Sequence, residues 1–184
     1  MQHFKLIRAG IDVAPYLAEI ASVEGAWDLN SGRKDKIKVQ READAIPIRG
    51  MQKSMANGRE PRDVHESRFT NTSEQFPKIR ELLASIAEEL DSELSRARVV
   101  KLPPGGQVYP HIDRGEYYRA RDRYHLVFKT APGNTLSCGG ETLHMREGEL
   151  WWFDNQQEHA AENASDEDRI HFIFDLKRRA KMAA

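Results

Sequence analysis

Cysteine is almost missing from this chain: Cys138 is the single one in 184 residues. That excludes an intramolecular disulfide and any metal site built on several thiolates. An excess of charge of either sign is missing too, since 28 Lys and Arg face 29 Asp and Glu, for a formal net charge of -1. No whole-protein attraction to nucleic acid follows from that balance, and none to an anionic membrane. No apolar run approaches the roughly 18 residues of a membrane span. The opening stretch MQHFKLIRAGIDVAPYLAEIA has no uninterrupted apolar segment with a cleavage site after it, so no signal peptide is read and the expected location is cytoplasmic. Internal repeats and low-complexity tracts are absent, and nothing in the pattern fixes an oligomeric state.

What is present is an ordinary globular composition, 39% hydrophobic and 31% charged, in a length that suits one domain, 1–184. Residues 1–95 read as a helical and irregular support, and residues 96–178 as a strand-rich core. In the first part, residues 12–23 suit a short helix, and Asn30, Ser31 and Gly32 are turn residues in a polar, basic stretch. Ile46 and Ile48 alternate with Pro47 and Arg49, a strand pattern that the proline places at a sheet edge. Residues 50–72 are the least hydrophobic segment and read as a long surface loop. The strongest periodicity predicts a helix from Phe76 to Ser95. Phe76, Ile79, Leu82, Leu83, Ile86, Leu90 and Leu94 make one apolar stripe, with Ser73 or Thr72 as cap and Pro77 in the first turn.

After Arg96 the period changes. ARVVKL, QVYPHID, RYHLVFKT, ETLHM, ELWWFD and RIHFIFDL are short runs rich in β-branched and aromatic residues, separated by Gly/Pro/Asn turns. This spacing predicts a mainly β fold with flanking helices, an antiparallel sandwich or barrel, with jelly roll among the candidates.

Two residues apart on a strand, His111 and Asp113 share a face. Alone the pair is a weak signal, and a solvated turn after PPGG explains it as well. His159, distant in sequence, completes two histidines and one carboxylate. That is the donor set of a 2-His-1-carboxylate facial triad, which holds ferrous iron at a residual charge of about +1 and leaves positions open. The plainer reading of His159 is a surface histidine beside Glu158. On RIHFIFDL, Arg169, His171, Ile173 and Asp175 fall on one face, while Ile170, Phe172, Phe174 and Leu176 form an apolar other. A buried Arg169 needs an anion. The distal carboxylate of 2-oxoglutarate is one choice; a surface pairing with Asp166, Glu167 or Asp168 is another. Arg123 and His125 also share a face and read either as contacts to a carboxylate ligand or, for His125, as a core histidine.

The stretches VVKLPPGGQVYPHID, RYHLVFKT and CGGETLHMREGELWWFDNQQEHAAENASDEDRIHFIFDL resemble the aspartyl/asparaginyl β-hydroxylase family of iron(II)- and 2-oxoglutarate-dependent dioxygenases. The resemblance covers about residues 97–176. It implies a double-stranded β-helix, the cupin-like jelly roll, with residues 1–95 shaping the substrate site. By resemblance His111, Asp113 and His159 match the iron ligands, so the chain follows the three-ligand pattern. Arg169 matches the arginine on the distal carboxylate, and Arg123 and His125 match the Arg-x-His positions near the cosubstrate. The expected cofactors are Fe(II), 2-oxoglutarate and dioxygen, with ascorbate in support. The expected substrate is an amino acid, free or within a peptide or protein. Arg114, Arg119 and Arg121 beside the metal loop, with Arg49 and Arg68 earlier, are candidate contacts to its carboxylate or else solvated surface residues. The competing function is a non-catalytic jelly-roll module that binds metal or 2-oxoglutarate as a sensor.

Overall fold

The computed structural model describes residues 1–29 and 38–180; the expected turn at Asn30, Ser31 and Gly32 lies outside them. In chain order the elements are β1 (Phe4–Arg8), α1 (Ala14–Ser22), β2 (Asp44–Met51), β3 (Ser67–Phe69), α2 (Pro77–Glu89), β4 (Ser92–Leu102) and β5 (Gln107–His111). There follow α3 (Glu116–Arg119), β6 (Asp122–Lys129), β7 (Asn134–Cys138), β8 (Glu141–Leu143), β9 (Leu150–Phe153), β10 (His159–Asn163) and β11 (Arg169–Arg178). They form two antiparallel sheets, a seven-stranded one in the order β1-β9-β6-β11-β4-β2-β3 and a four-stranded one in the order β5-β10-β7-β8. No helix among the described residues is long and apolar enough to cross a membrane.

The period of two along β11 decides how the layers stack. Ile170, Phe172, Phe174 and Leu176 join a core with Ile46, Ile48, Val99, Leu126 and the buried face of α2, Ile79, Leu82, Leu83 and Ile86. Each large side chain fully buried here contributes about 1.5–3 kcal/mol. The opposite face of the large sheet meets the small sheet. There Val100, Leu102, Val127, Leu136, Cys138, Trp151, Phe153 and Ala161 make a second, smaller core. The helices cover one face of the large sheet, and a pocket lies between the two sheets beside this smaller core.

Four expectations are corrected. The helix predicted to Ser95 stops at Glu89, and Leu94 belongs to β4. Asp91 turns the chain at φ 45°, and the leucine period carries on across the break by coincidence. Neither Ser73 nor Thr72 caps α2: Thr70 caps the preceding 3-10 turn, and Phe76 stands at the start of α2 with no side-chain cap of its own. Instead the Glu19 carboxylate, from α1, accepts from the free amides of Lys78 at 2.8 Å and Ile79 at 3.0 Å. Third, β2 lies inside the sheet between β4 and β3 rather than at its edge. Pro47 is tolerated because β3 pairs only with Arg49 to Met51 and the β4 register shifts between Pro47 and Arg49. Lastly, residues 50–72 are not one loop: they complete β2, form two short 3-10 turns, supply β3 and begin a third 3-10 turn at Asn71.

Candidate metal centre

β5 and β10 are paired, and their register sets His159 directly opposite His111. Asp113 follows two residues after His111, and its amide donates to the Asn155 carbonyl at 3.2 Å, which ties the turn after β5 to the turn before β10. One ligand atom from each of His111, Asp113 and His159 falls within 4.8 Å of the others, and they are the one such group of three found among the described residues. The turn that carries Asp113 is closed by Gly115, at φ 108°, where a Cβ would sit 2.7 Å from Asp63 Oδ1. Only glycine fits that approach.

Hydrogen bonds and burial already prepare the donors for a metal. His111 Nδ1 lies 2.7 Å from the Tyr109 carbonyl, and His159 Nδ1 lies 2.9 Å from the Gln157 carbonyl. A carbonyl only accepts, so each Nδ1 carries a proton and Nε2 is left as the nitrogen that would face a metal. Burial is the main cause that brings the His159 imidazolium down to about 4, despite the opposing pull of the Gln157 carbonyl. Burial pushes the Asp113 carboxyl up, but Arg123, His159 and Asn155 together outweigh it and hold it below its ordinary value. At neutral pH His159 is thus a neutral imidazole and Asp113 a carboxylate. Arg123 and Asn155 both donate to Asp113 Oδ2, which leaves Oδ1 without a donor among the described residues. Such a donor set fits a divalent transition metal.

Behind the three ligands lies a pocket between the sheets, lined by Arg123, His125, Phe153 and Arg169 along with His111 and His159. The alternation on β11 and β6 puts these polar groups there, because the partners of Ile173 and Asp175 across the ladder are His125 and Arg123. The two buried arginines differ. Arg123 donates to both Asp175 oxygens, at 2.7 Å from Nε and 3.1 Å from Nη2, as well as to Asp113. Burial acts against its charge, and the two carboxylates more than reverse that. Arg169 is 3% exposed, makes no ion pair with any described carboxylate, and is brought down to about 10 by burial alone. His125 and His171, both buried, face one another at 3.3 Å between Nδ1 atoms. Burial first, and Arg169 second, drive both well below the ordinary histidine value.

The structure therefore brings together His111, Asp113, His159, Arg123, His125 and Arg169. It does not bring Arg114, Arg119 or Arg121 into the pocket. Arg114 is exposed, and Arg119 is exposed and paired to Glu116 at 3.0 Å. Arg121 is buried, donating to Ser95 Oγ and to the Tyr117 and His65 carbonyls. Arg49 donates to the Ser95 and Ser67 carbonyls, and Arg68 is exposed on β3. Sequence reasoning missed the bracing role of Asp175 and of Tyr117, whose hydroxyl donates to Asp175 at 3.0 Å. Alternation had put Asp175 on the Arg169 face, the one signal that pointed to it.

The chain is similar to several known proteins. The family model for aspartyl/asparaginyl beta-hydroxylase matches residues 52–179. L-proline cis-3-hydroxylase 1 of a Streptomyces species is 30% identical over 110 residues, 58% of this chain and 37% of that protein. L-proline cis-4-hydroxylase of Rhizobium meliloti (strain 1021) is 28% identical over 108 residues, 59% of this chain and 38% of its own length. The chain thus spans well under half the length of these relatives. A 2OG-Fe(II) oxygenase family oxidoreductase from Burkholderia pseudomallei superposes with a TM-score of 0.54 at 11% identity, covering 96% of this chain and 94% of that one. The viral collagen prolyl hydroxylase of Paramecium bursaria Chlorella virus-1, solved with 2-oxoglutarate, does so with a TM-score of 0.54 at 12% identity, covering 96% and 97%. Both likenesses show the jelly-roll fold. With its family pattern matched over more than half its length, the chain belongs to the aspartyl/asparaginyl β-hydroxylase family.

Proposed function

We propose that the protein is an iron(II)- and 2-oxoglutarate-dependent dioxygenase that hydroxylates a carbon of an amino acid, free or within a peptide. The observation that carries this is a pocket with two histidines of the two-imidazole, one-carboxylate triad at one place and, at another, a buried arginine that no described carboxylate pairs. Membership of the hydroxylase family and the proline hydroxylases among its relatives support the same reading.

In this reading His111, His159 and Asp113 hold the iron. Ferrous iron supplies, with 2-oxoglutarate as the electron source, the activation of dioxygen that side chains cannot perform. The protein's own part is to bind and orient. Arg169 takes the distal carboxylate of 2-oxoglutarate, replacing an unmatched buried charge by a charge-assisted pair. Arg123 fixes the Asp113 carboxylate, with Asp175 fixing Arg123 in turn. His125 stays neutral beside the cosubstrate, and Phe153, Val100 and Leu136 keep water from the reacting atoms. No general base is needed.

Succinate formation in the presence of ferrous iron, ascorbate and a panel of amino acids with L-proline among them tests the proposal. Turnover that His111→Ala and Arg169→Met both abolish is expected. Binding of 2-oxoglutarate without any decarboxylation would mark a sensory module instead.

A further inference from the structure

Beside the metal pocket lies a second pocket, and the two share Arg98, Arg123 and Ile173 as a common wall. The large sheet explains the sharing. Arg98 on β4 pairs with Ile173 on β11, and Ile173 pairs with His125 on β6. At the usual strand spacing, Arg98 therefore stands about 10 Å from the His125 backbone. Its side chain lies on the inner face with Val100, because Ala97 and Val99 go to the helix-covered core.

The second pocket is unbalanced in charge. Arg49, Arg62, Arg96, Arg98 and Arg123 line it against the single carboxylate of Asp175, and Arg123 is already committed to Asp175 and Asp113. Arg49 and Arg96 donate to backbone carbonyls, which satisfy hydrogen bonds and leave the charge unmatched. Among the described residues Arg98 has no such bond: its Nε is shielded from solvent and finds no acceptor there, and burial together with Arg123 makes its proton easier to lose, with only distant support from Asp175 and Asp113. A buried, directional donor without an acceptor is costly unless a ligand supplies one.

We propose that Arg98 binds the carboxylate of the substrate, a small amino acid seated in this second pocket, and so determines which molecules reach the metal. The inference rests on the hydroxylase reading and deepens it. A planar guanidinium matches a carboxylate with two parallel hydrogen bonds, which fixes orientation as well as charge. The shared wall then holds the rest of the substrate toward the metal pocket, while Arg169 keeps 2-oxoglutarate at a separate place.

The test is calorimetric titration of the full chain, loaded with zinc and saturating 2-oxoglutarate so that no turnover occurs. The probes are L-proline and L-glutamate, each compared with its α-amide. At least one acid should bind the wild-type protein, and its amide should bind at least about tenfold more weakly. Arg98→Gln should weaken that acid by about tenfold or more, with Arg98→Lys between the two, and 2-oxoglutarate affinity should stay within about twofold in both. Two variants guard against a folding defect, which retained 2-oxoglutarate affinity would exclude. The proposal is overturned if neither acid binds, if Arg98→Gln binds it as tightly as wild type, or if Arg98→Gln loses 2-oxoglutarate instead. A wild-type protein that does not bind 2-oxoglutarate at all would overturn the hydroxylase reading, and this inference with it.

Discussion

The inner face of the large sheet carries two buried arginines on opposite terms. At the Asp175 end, Arg123 is saturated by two carboxylates, a tyrosine-braced one and a metal-ligand candidate. At the other end, Arg169 is as deeply buried and has no described carboxylate. In the first arrangement the guanidinium is fully answered within the chain. The second is unfinished without a bound anion. Burial alone does not mark a binding residue; burial without an internal partner does.

Removing the answered charge should cost most. Asp175→Ala leaves Arg123 buried and half-paired and should destabilise by about 3–5 kcal/mol, read by chemical denaturation. Where the variant still folds, its divalent-metal affinity should drop by about tenfold, because Asp113 loses its brace.

The neutral histidines give the next largest effect. His125 and His171 have folded values depressed by burial, so protonation favours the unfolded chain. Their contribution is fully present above the unfolded value of about 6.5 and is lost as pH falls toward the folded one. Each adds a slope of up to about 1.4 kcal/mol per pH unit. Melting curves should therefore show Tm falling from pH 6.5 to 5, with a shallower fall in His171→Phe.

Arg169→Met should do the reverse of Asp175→Ala. With no internal partner to strand, an apolar side chain of similar length should stabilise the ligand-free protein by about 2 kcal/mol. A loss of stability would show that Arg169 has a partner within the chain after all. The smallest effect lies outside the pocket. Glu19→Ala exposes two first-turn amides of α2 and should cost about 1 kcal/mol, without changing ligand affinity.

The legible parts of this molecule were those set by local period. Alternation along RIHFIFDL gave both faces of β11 correctly, whereas His111 and Asp113, expected on one strand, straddle the end of β5, which stops at His111. The jelly-roll class was legible from strand spacing and resemblance. β10 was not, although it begins with a candidate ligand: HAAEN is small and polar, and its strand state comes from pairing with β5 and β7. β7, NTLSC, was hidden between two turn clusters for the same reason. The first part, expected to be helical and irregular, also gives β1, β2 and β3 to the large sheet. Long-range pairing decides such segments over propensity. Arg123 and Asp175 stand 52 residues apart, so only the ladder of β6 and β11 could disclose that the first is bound by the second.

The most direct test of the central claim is a thermal-shift titration of 2-oxoglutarate with and without a non-reactive divalent metal. It should be run on the wild type, His111→Ala and Arg169→Met. The account predicts that 2-oxoglutarate raises Tm strongly only when metal, His111 and Arg169 are all present. Equal stabilisation in all three proteins, or stabilisation independent of metal, would contradict it.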